Sequence, residues 1–289
     1  MSHIFVQTRG KNTDYAFLGG APSKLWWLDF RDATSFEQPT IIVRGDGSEW
    51  GCFVSGIPSG RRDRVGTIIR YSLVLGGPCD KEGRNSALAL NLLADALTGQ
   101  RVQAKLDDKF DEATVERLLS SRGANPDDRG EVGRLAAEAL SNLEPLKSHM
   151  KLTKPTEAES WVGSSTSISA QSEFIARSEE LFRGERQGEA ALLNLLGTED
   201  EASKLLEQQA VSLAVLIKED SPGTLAHNVV PISSKKKASC SSKPSPSPQS
   251  QEIPTILLAA VAIVVVVAVL AIWPNNPTTP QPQPPTNQR

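Results

Sequence analysis

Short apolar runs of β type fill the first 77 residues. IFVQT (4–8), DYAFL (14–18), LWWLDF (25–30), TIIVR (40–44) and WGCFVSG (50–56) are separated by Gly, Pro, Asn and Asp clusters. A sixth run, GRRDRVGTIIRYSLVLGG (60–77), alternates cleanly. Val65, Thr67, Ile69, Tyr71, Leu73 and Leu75 share one face, and Gly66, Ile68, Arg70, Ser72 and Val74 the other. The first face is assigned to the core. Asp46-Gly47 between the fourth and fifth runs predicts a tight hairpin. In LWWLDF, strand alternation sends Trp26 and Trp27 to opposite faces, one buried and one outward.

From residue 81 the period lengthens. Leu88, Leu92, Leu93, Ala96 and Leu97 form a helical stripe ending near Gly99, and Val115, Leu118 and Leu119 form a second. A third stripe runs from Val132 to Leu143, with Pro126, Asp127 and Asp128 suited to its first turn. Residues 145–168 have weak periodicity and read as a loop with one or two short strands. Beyond them, helical patterns are assigned at 170–183, 187–196 and 199–218.

The fold class expected is α+β: a strand-rich N-terminal sheet followed by helices, then a disordered linker and one C-terminal transmembrane helix. Residues 1–150 form the α+β domain and 151–220 a helical extension of the same body. Residues 221–252 form a Ser/Pro/Lys linker too polar to fold, 253–273 the membrane helix and 274–289 a disordered tail. Thr255 to Trp273 carries no charge over about 19 positions and spans roughly 28 Å as a helix, close to the hydrocarbon thickness. Trp273 suits the headgroup level. Lys235, Lys236, Lys237 and Lys243 precede the span, and only Arg289 follows it, which predicts a cytoplasmic body and a tail on the far side of the membrane.

Composition narrows the chemistry. A net charge of −3 over 289 residues argues against a broadly cationic nucleic-acid binder, so no specific nucleic acid is expected. Three cysteines without regular spacing make neither a disulfide framework nor a zinc signature. No Walker loop, GxGxxG fingerprint or nucleophile elbow occurs, and no cofactor or metal is expected. Cys52 and Ser72 lack a histidine paired to them by motif, so no catalytic residue is assigned. The carboxylates of KLDDKFDE and NPDDRGE read as helix caps and solvated faces.

One local cluster stands out. Arg61, Arg62 and Arg64, with Arg70 on the strand that follows, offer guanidinium groups for a phosphate or a partner's carboxylates. Glycines at 56, 60 and 66 would let backbone N–H groups approach the same anion. The alternative is a solvated turn partly neutralised by Asp63.

The order QTRGKNTDYAFLGG, a hairpin, then GRRDRVGTIIRYSLVL resembles the N-terminal domain of bacterial GTPase-associated adaptor proteins of conflict and defence systems. The likeness covers residues 1–77. Its Asp-x-x-Gly step into a long strand is matched by Asp63 and Gly66, whereas Thr67 and Tyr71 stand where that pattern has Arg and His. No functional residue is carried over. The resemblance implies an adaptor role, not catalysis. The expected function is a membrane-tethered cytoplasmic interaction module whose partners are the lipid bilayer and cytoplasmic proteins. The alternatives are a phosphate- or nucleotide-binding sensor or enzyme using the Arg61–Arg64 loop, and a membrane effector.

Overall fold

The alternating runs of the first 77 residues pair as one antiparallel block. In the computed structural model, residues 3–35, 37–98, 101–121, 125–145, 160–208, 213–218 and 230–232 are described. Strands β1 (His3–Thr8), β2 (Ala16–Phe17), β3 (Thr40–Gly45), β4 (Glu49–Arg62) and β5 (Ile68–Pro78) come first. Asp46 closes the β3–β4 turn, its Oδ1 accepting from the Ser48 and Glu49 backbone N–H groups at 2.8 Å each. The Asp-Gly hairpin expected there is present. Helices α1 (Ala87–Thr98), α2 (Arg101–Lys109), α3 (Glu112–Ser120) and α4 (Pro126–Ser141) follow. Asp111 caps α3 through the Thr114 N–H, and Asn125 caps α4 with Pro126 at its start, so the acidic pair 127–128 sits in the first turn.

The chain then alternates as β6 (Ser160–Ser164), α5 (Ile168–Arg183), β7 (Gly188–Leu193), α6 (Glu199–Gln208) and β8 (Leu213–Ile217), with a short β9 (Val230–Ile232) last. The sheet order is β2-β1-β5-β4-β3-β7-β8-β6-β9. β8 pairs parallel with β6 and β7, and every other pairing is antiparallel. The fold is therefore α+β with a mixed sheet.

Two readings beyond residue 150 are corrected. Residues 187–196 hold β7, and 199–218 hold α6 followed by β8, so this region is a β/α alternation that extends the sheet instead of a helical extension. β7 (GEAALL) and β8 (LAVLI) are buried at every position. A strand covered on both faces shows no two-residue period, and its apolar run reads like a buried helix. LWWLDF is likewise no strand: Trp26–Ala33 is a 3-10 helix, in which Trp27 and Phe30 fall three apart on one side.

Both faces of the sheet are covered. On one, α1–α5 pack on Val6, Val43, Cys52, Val54, Tyr71, Leu73 and Leu75. On the other, the 3-10 helix and α6 pack on Phe5, Ile42, Phe53, Val74 and Val215, with Trp27 stacked on Phe53 at 4.9 Å. This second layer corrects the one-sided reading of β5. Ser72 and Val74, expected on the outer face, are buried, whereas Val65, expected in the core, precedes the strand and is 85% exposed.

Met1–Lys236 forms a compact unit of its own. Its two layers close their cores within that unit. β9 lies within the stretch assigned to the linker. The remainder of that linker, the lysines at 235, 236, 237 and 243, the span from Thr255 to Trp273 and the tail lie outside the described residues. Among the described residues no helix is long and apolar enough to cross a membrane.

Candidate functional site

The β4–β5 hairpin carries the four arginines, and its irregularities decide where each points. β4 has extra residues opposite β5 between Val54 and Ile57 and again between Pro58 and Arg62. The first bulge sits at Gly56, whose φ of +74° favours glycine and where an added Cβ would lie 2.2 Å from Gln38 O. The turn that follows is held by Asp63, whose Oδ1 accepts from the N–H groups of Val65 (3.0 Å) and Thr67 (2.8 Å). Gly66, at φ +85°, donates its N–H to Asp63 O at 3.1 Å. The Asp-x-x-Gly step thus has a local purpose here: it fixes a tight turn.

Arg61 is drawn into the fold. Its guanidinium donates to Ser59 Oγ (3.2 Å), Arg9 O (3.0 Å) and Thr8 Oγ1 (2.7 Å), and lies over the Tyr71 ring, 5.2 Å from the centroid. Beneath it, Asp107 of α2 accepts from Ser59 Oγ and the Gly60 N–H, both at 2.7 Å. The Tyr71 hydroxyl shares its proton between Asp107 Oδ1 (3.0 Å) and Phe110 O (3.2 Å). Burial pushes that hydroxyl up to about 12, against the pull of the Arg61 charge. Asp107 belongs to the KLDDKFDE run read as caps and solvated faces. It is instead the anchor by which α2 holds the distal half of β4.

Arg62 and Arg64 remain outside. Arg62 Nη1 donates to Gly66 O at 2.7 Å across the turn. Arg64 is exposed, with no ion pair or hydrogen bond among the described residues. Beside them stand Val65 in the turn and Ile68 at the first position of β5, the latter 38% exposed. The tip therefore joins two cations to an outward aliphatic pair.

Arg70 points elsewhere again. The bulge leaves Gly56 O out of the ladder, and Arg70 Nη1 donates to it at 3.0 Å. The Arg70 N–H donates to the Tyr15 hydroxyl at 3.1 Å. Arg9 reaches the same place from the end of β1, over the Tyr15 ring at 5.7 Å and 3.4 Å from Asp63 Oδ2. Together they line a cavity of about 430 Å³, with Thr67 just before β5, Ile68 and Ile69 at its start, and the exposed Glu37. Arg9 and Tyr15 were missed in the sequence. The signal for Arg9 was present, because it continues the face of Phe5 and Gln7 along β1.

The residues considered for catalysis do not converge. Cys52 is fully buried, and burial alone holds its thiol well above the ordinary range. Ser72 is buried on β5 with no partner for its hydroxyl, and His3 is exposed at the start of β1. A buried ion pair, Arg177 Nε to Glu173 Oε1 at 2.8 Å, lies on α5, with Arg177 over the Trp161 ring at 5.5 Å. Desolvation lowers the Arg177 value, and Glu173 opposes that shift. Among the described residues no group of acidic, histidine or cysteine side chains is placed to hold a metal ion.

The fold and the hairpin define an α+β protein with a mixed sheet covered on both faces. No protein-family model, curated protein or solved structure matches the chain.

Proposed function

We propose that this chain is an interaction module, a soluble body tethered to a membrane by the 253–273 span, which engages a protein partner through the β4–β5 hairpin tip. The observation that carries the reading is Val65, 85% exposed on a turn pinned by Asp63 and flanked by Arg62 and Arg64. An aliphatic group held outward on a preordered turn loses little conformational freedom on binding, and guanidinium groups beside it select an acidic, partly apolar segment. The resemblance of residues 1–77 to adaptor domains points the same way. A linker of about 20 residues after β9 gives the body a reach near 25 Å from the bilayer.

A photo-crosslinking residue at position 65 of the full chain, expressed in its native cells, tests the contact. One discrete protein adduct is expected, abolished by Arg62→Glu with Arg64→Glu and absent when the probe sits at Glu207 on α6. Equal yield from both positions, or none at 65, overturns the reading. For the tether, a cysteine placed within 275–289 is expected to react with an impermeant reagent outside intact cells; protection there contradicts the orientation proposed.

A further inference from the structure

We infer that the cavity between the end of β1, Tyr15 and the start of β5 binds a small organic anion, a carboxylate or a phosphate monoester, gripped by Arg9 and Arg70. Two guanidinium groups open onto this one space, and each is only partly engaged. Arg9 uses Nη1 toward Asp63, and Arg70 uses Nη1 toward Gly56 O. A guanidinium carries five N–H donors, so most of their capacity is unmet by the described residues. Arg9 Nε is moreover buried with no acceptor among them. A buried donor left unmade is costly, so the Arg9 guanidinium is under-paired, and an anion in the cavity would meet its remaining Nη donors.

The balance of donors and acceptors favours an anion. Asp63 is occupied on both sides: Oδ1 takes two backbone N–H groups and Oδ2 faces Arg9. Glu37 is exposed, and water screens it. The lining holds two cations and two carboxylates, but with Asp63 engaged and Glu37 out in water the unused guanidinium donors are the groups left to meet a ligand. The forked geometry of guanidinium suits the paired oxygens of a carboxylate or phosphate.

Size and walls indicate that the anion has an organic body. About 430 Å³ far exceeds a bare oxyanion and falls within the roughly 300–1,000 Å³ of small-molecule pockets. Ile68, Ile69 and the Tyr15 ring supply the apolar part of the lining. The site adjoins the tip through Asp63 and Ile68, but Arg62, Arg64 and Val65 do not line it, and it stands whether or not the adaptor reading does.

The test uses the Met1–Lys236 unit labelled with nitrogen-15. The arginine Nε–Hε resonances are assigned with Arg9→Lys and Arg70→Lys, and phenyl phosphate, benzoate and inorganic phosphate are titrated in turn. The expected result is a saturable downfield shift of the Arg9 Nε–Hε resonance with phenyl phosphate or benzoate. Affinity should be about tenfold tighter than for inorganic phosphate, reflecting the apolar walls. Which organic probe saturates first distinguishes phosphate monoester from carboxylate. Arg70→Lys should weaken binding about tenfold, while Arg62→Lys with Arg64→Lys leaves it unchanged. The proposal is overturned if neither resonance moves with any probe at millimolar concentration, or if the shift persists undiminished in Arg70→Lys. The primary shift is read on the unsubstituted unit, and the amide spectrum of each lysine variant, superposable on the parent's outside the cavity, shows that the variant is folded.

Discussion

Arg61 places its guanidinium over Tyr71 and its donors on Ser59, Thr8 and the Arg9 carbonyl, whereas Arg64, three positions on, lies in solvent. The same residue type therefore has opposite energetic weight within one turn of chain. Arg61→Ala leaves buried acceptors unpaired and bares the Tyr71 ring, and is expected to destabilise the Met1–Lys236 unit by about 2–3 kcal/mol in urea denaturation. Arg62→Ala and Arg64→Ala should each fall within about 0.5 kcal/mol of the parent. Tyr71 gives a second, pH-resolved check. Its folded value, raised to about 12, lies above the ordinary 10.0, so its stabilisation is complete below pH 10 and is lost as pH rises through the folded value. Ultraviolet difference titration should show one tyrosine, absent in Tyr71→Phe, ionising only near that upper limit; ionisation near 10 would mean that the hydroxyl is not buried against Asp107.

At the scale of elements, the β4–β5 hairpin matters more than any one arginine, because its bulges set the phase of everything beyond them. In an uninterrupted ladder alternation would carry Arg61 and Arg70 on a simple two-residue count. With the extra residues in β4, Arg61 instead lies over Tyr71 and against the end of β1, and Gly56 O is available to Arg70. Gly56→Ala is expected to cost at least about 2 kcal/mol, since a methyl would meet Gln38 O in a backbone conformation that L residues resist. It should also weaken any ligand held by Arg70, measurable by the same arginine resonances. Bulges carry little sequence signature apart from a glycine, which is why the alternation of β5 was legible and the destination of the arginines was not. The interior strands β7 and β8 were missed for a related reason: burial on both faces erases the period from which strands are read.

For the whole molecule, the closing strand fixes where the folded unit ends. β9 pairs with β6 and covers what would otherwise be the open edge of the sheet. A chain cut after 236 should therefore unfold in one cooperative transition, whereas a cut after 220 should lower the melting temperature and promote self-association, checked by calorimetry and light scattering; identical melting of the two would show that β9 adds nothing. Local pattern alone determined the hairpin at Asp46-Gly47, the long strand β5, the start of α4 at Pro126, the helical stripes of α1, α3, α4 and α5, and the α+β class, because each follows from periodicity or from turn chemistry within a few residues. Tertiary structure decided the rest, since it depends on which distant segments meet. It put the 3-10 helix and α6 over the second face, buried Ser72 and Val74 there, paired β7 and β8 in parallel, and brought Arg9 beside Arg70 from opposite ends of the N-terminal block. An arginine's role is set by the acceptors within a few ångströms of it, and those are chosen by the fold.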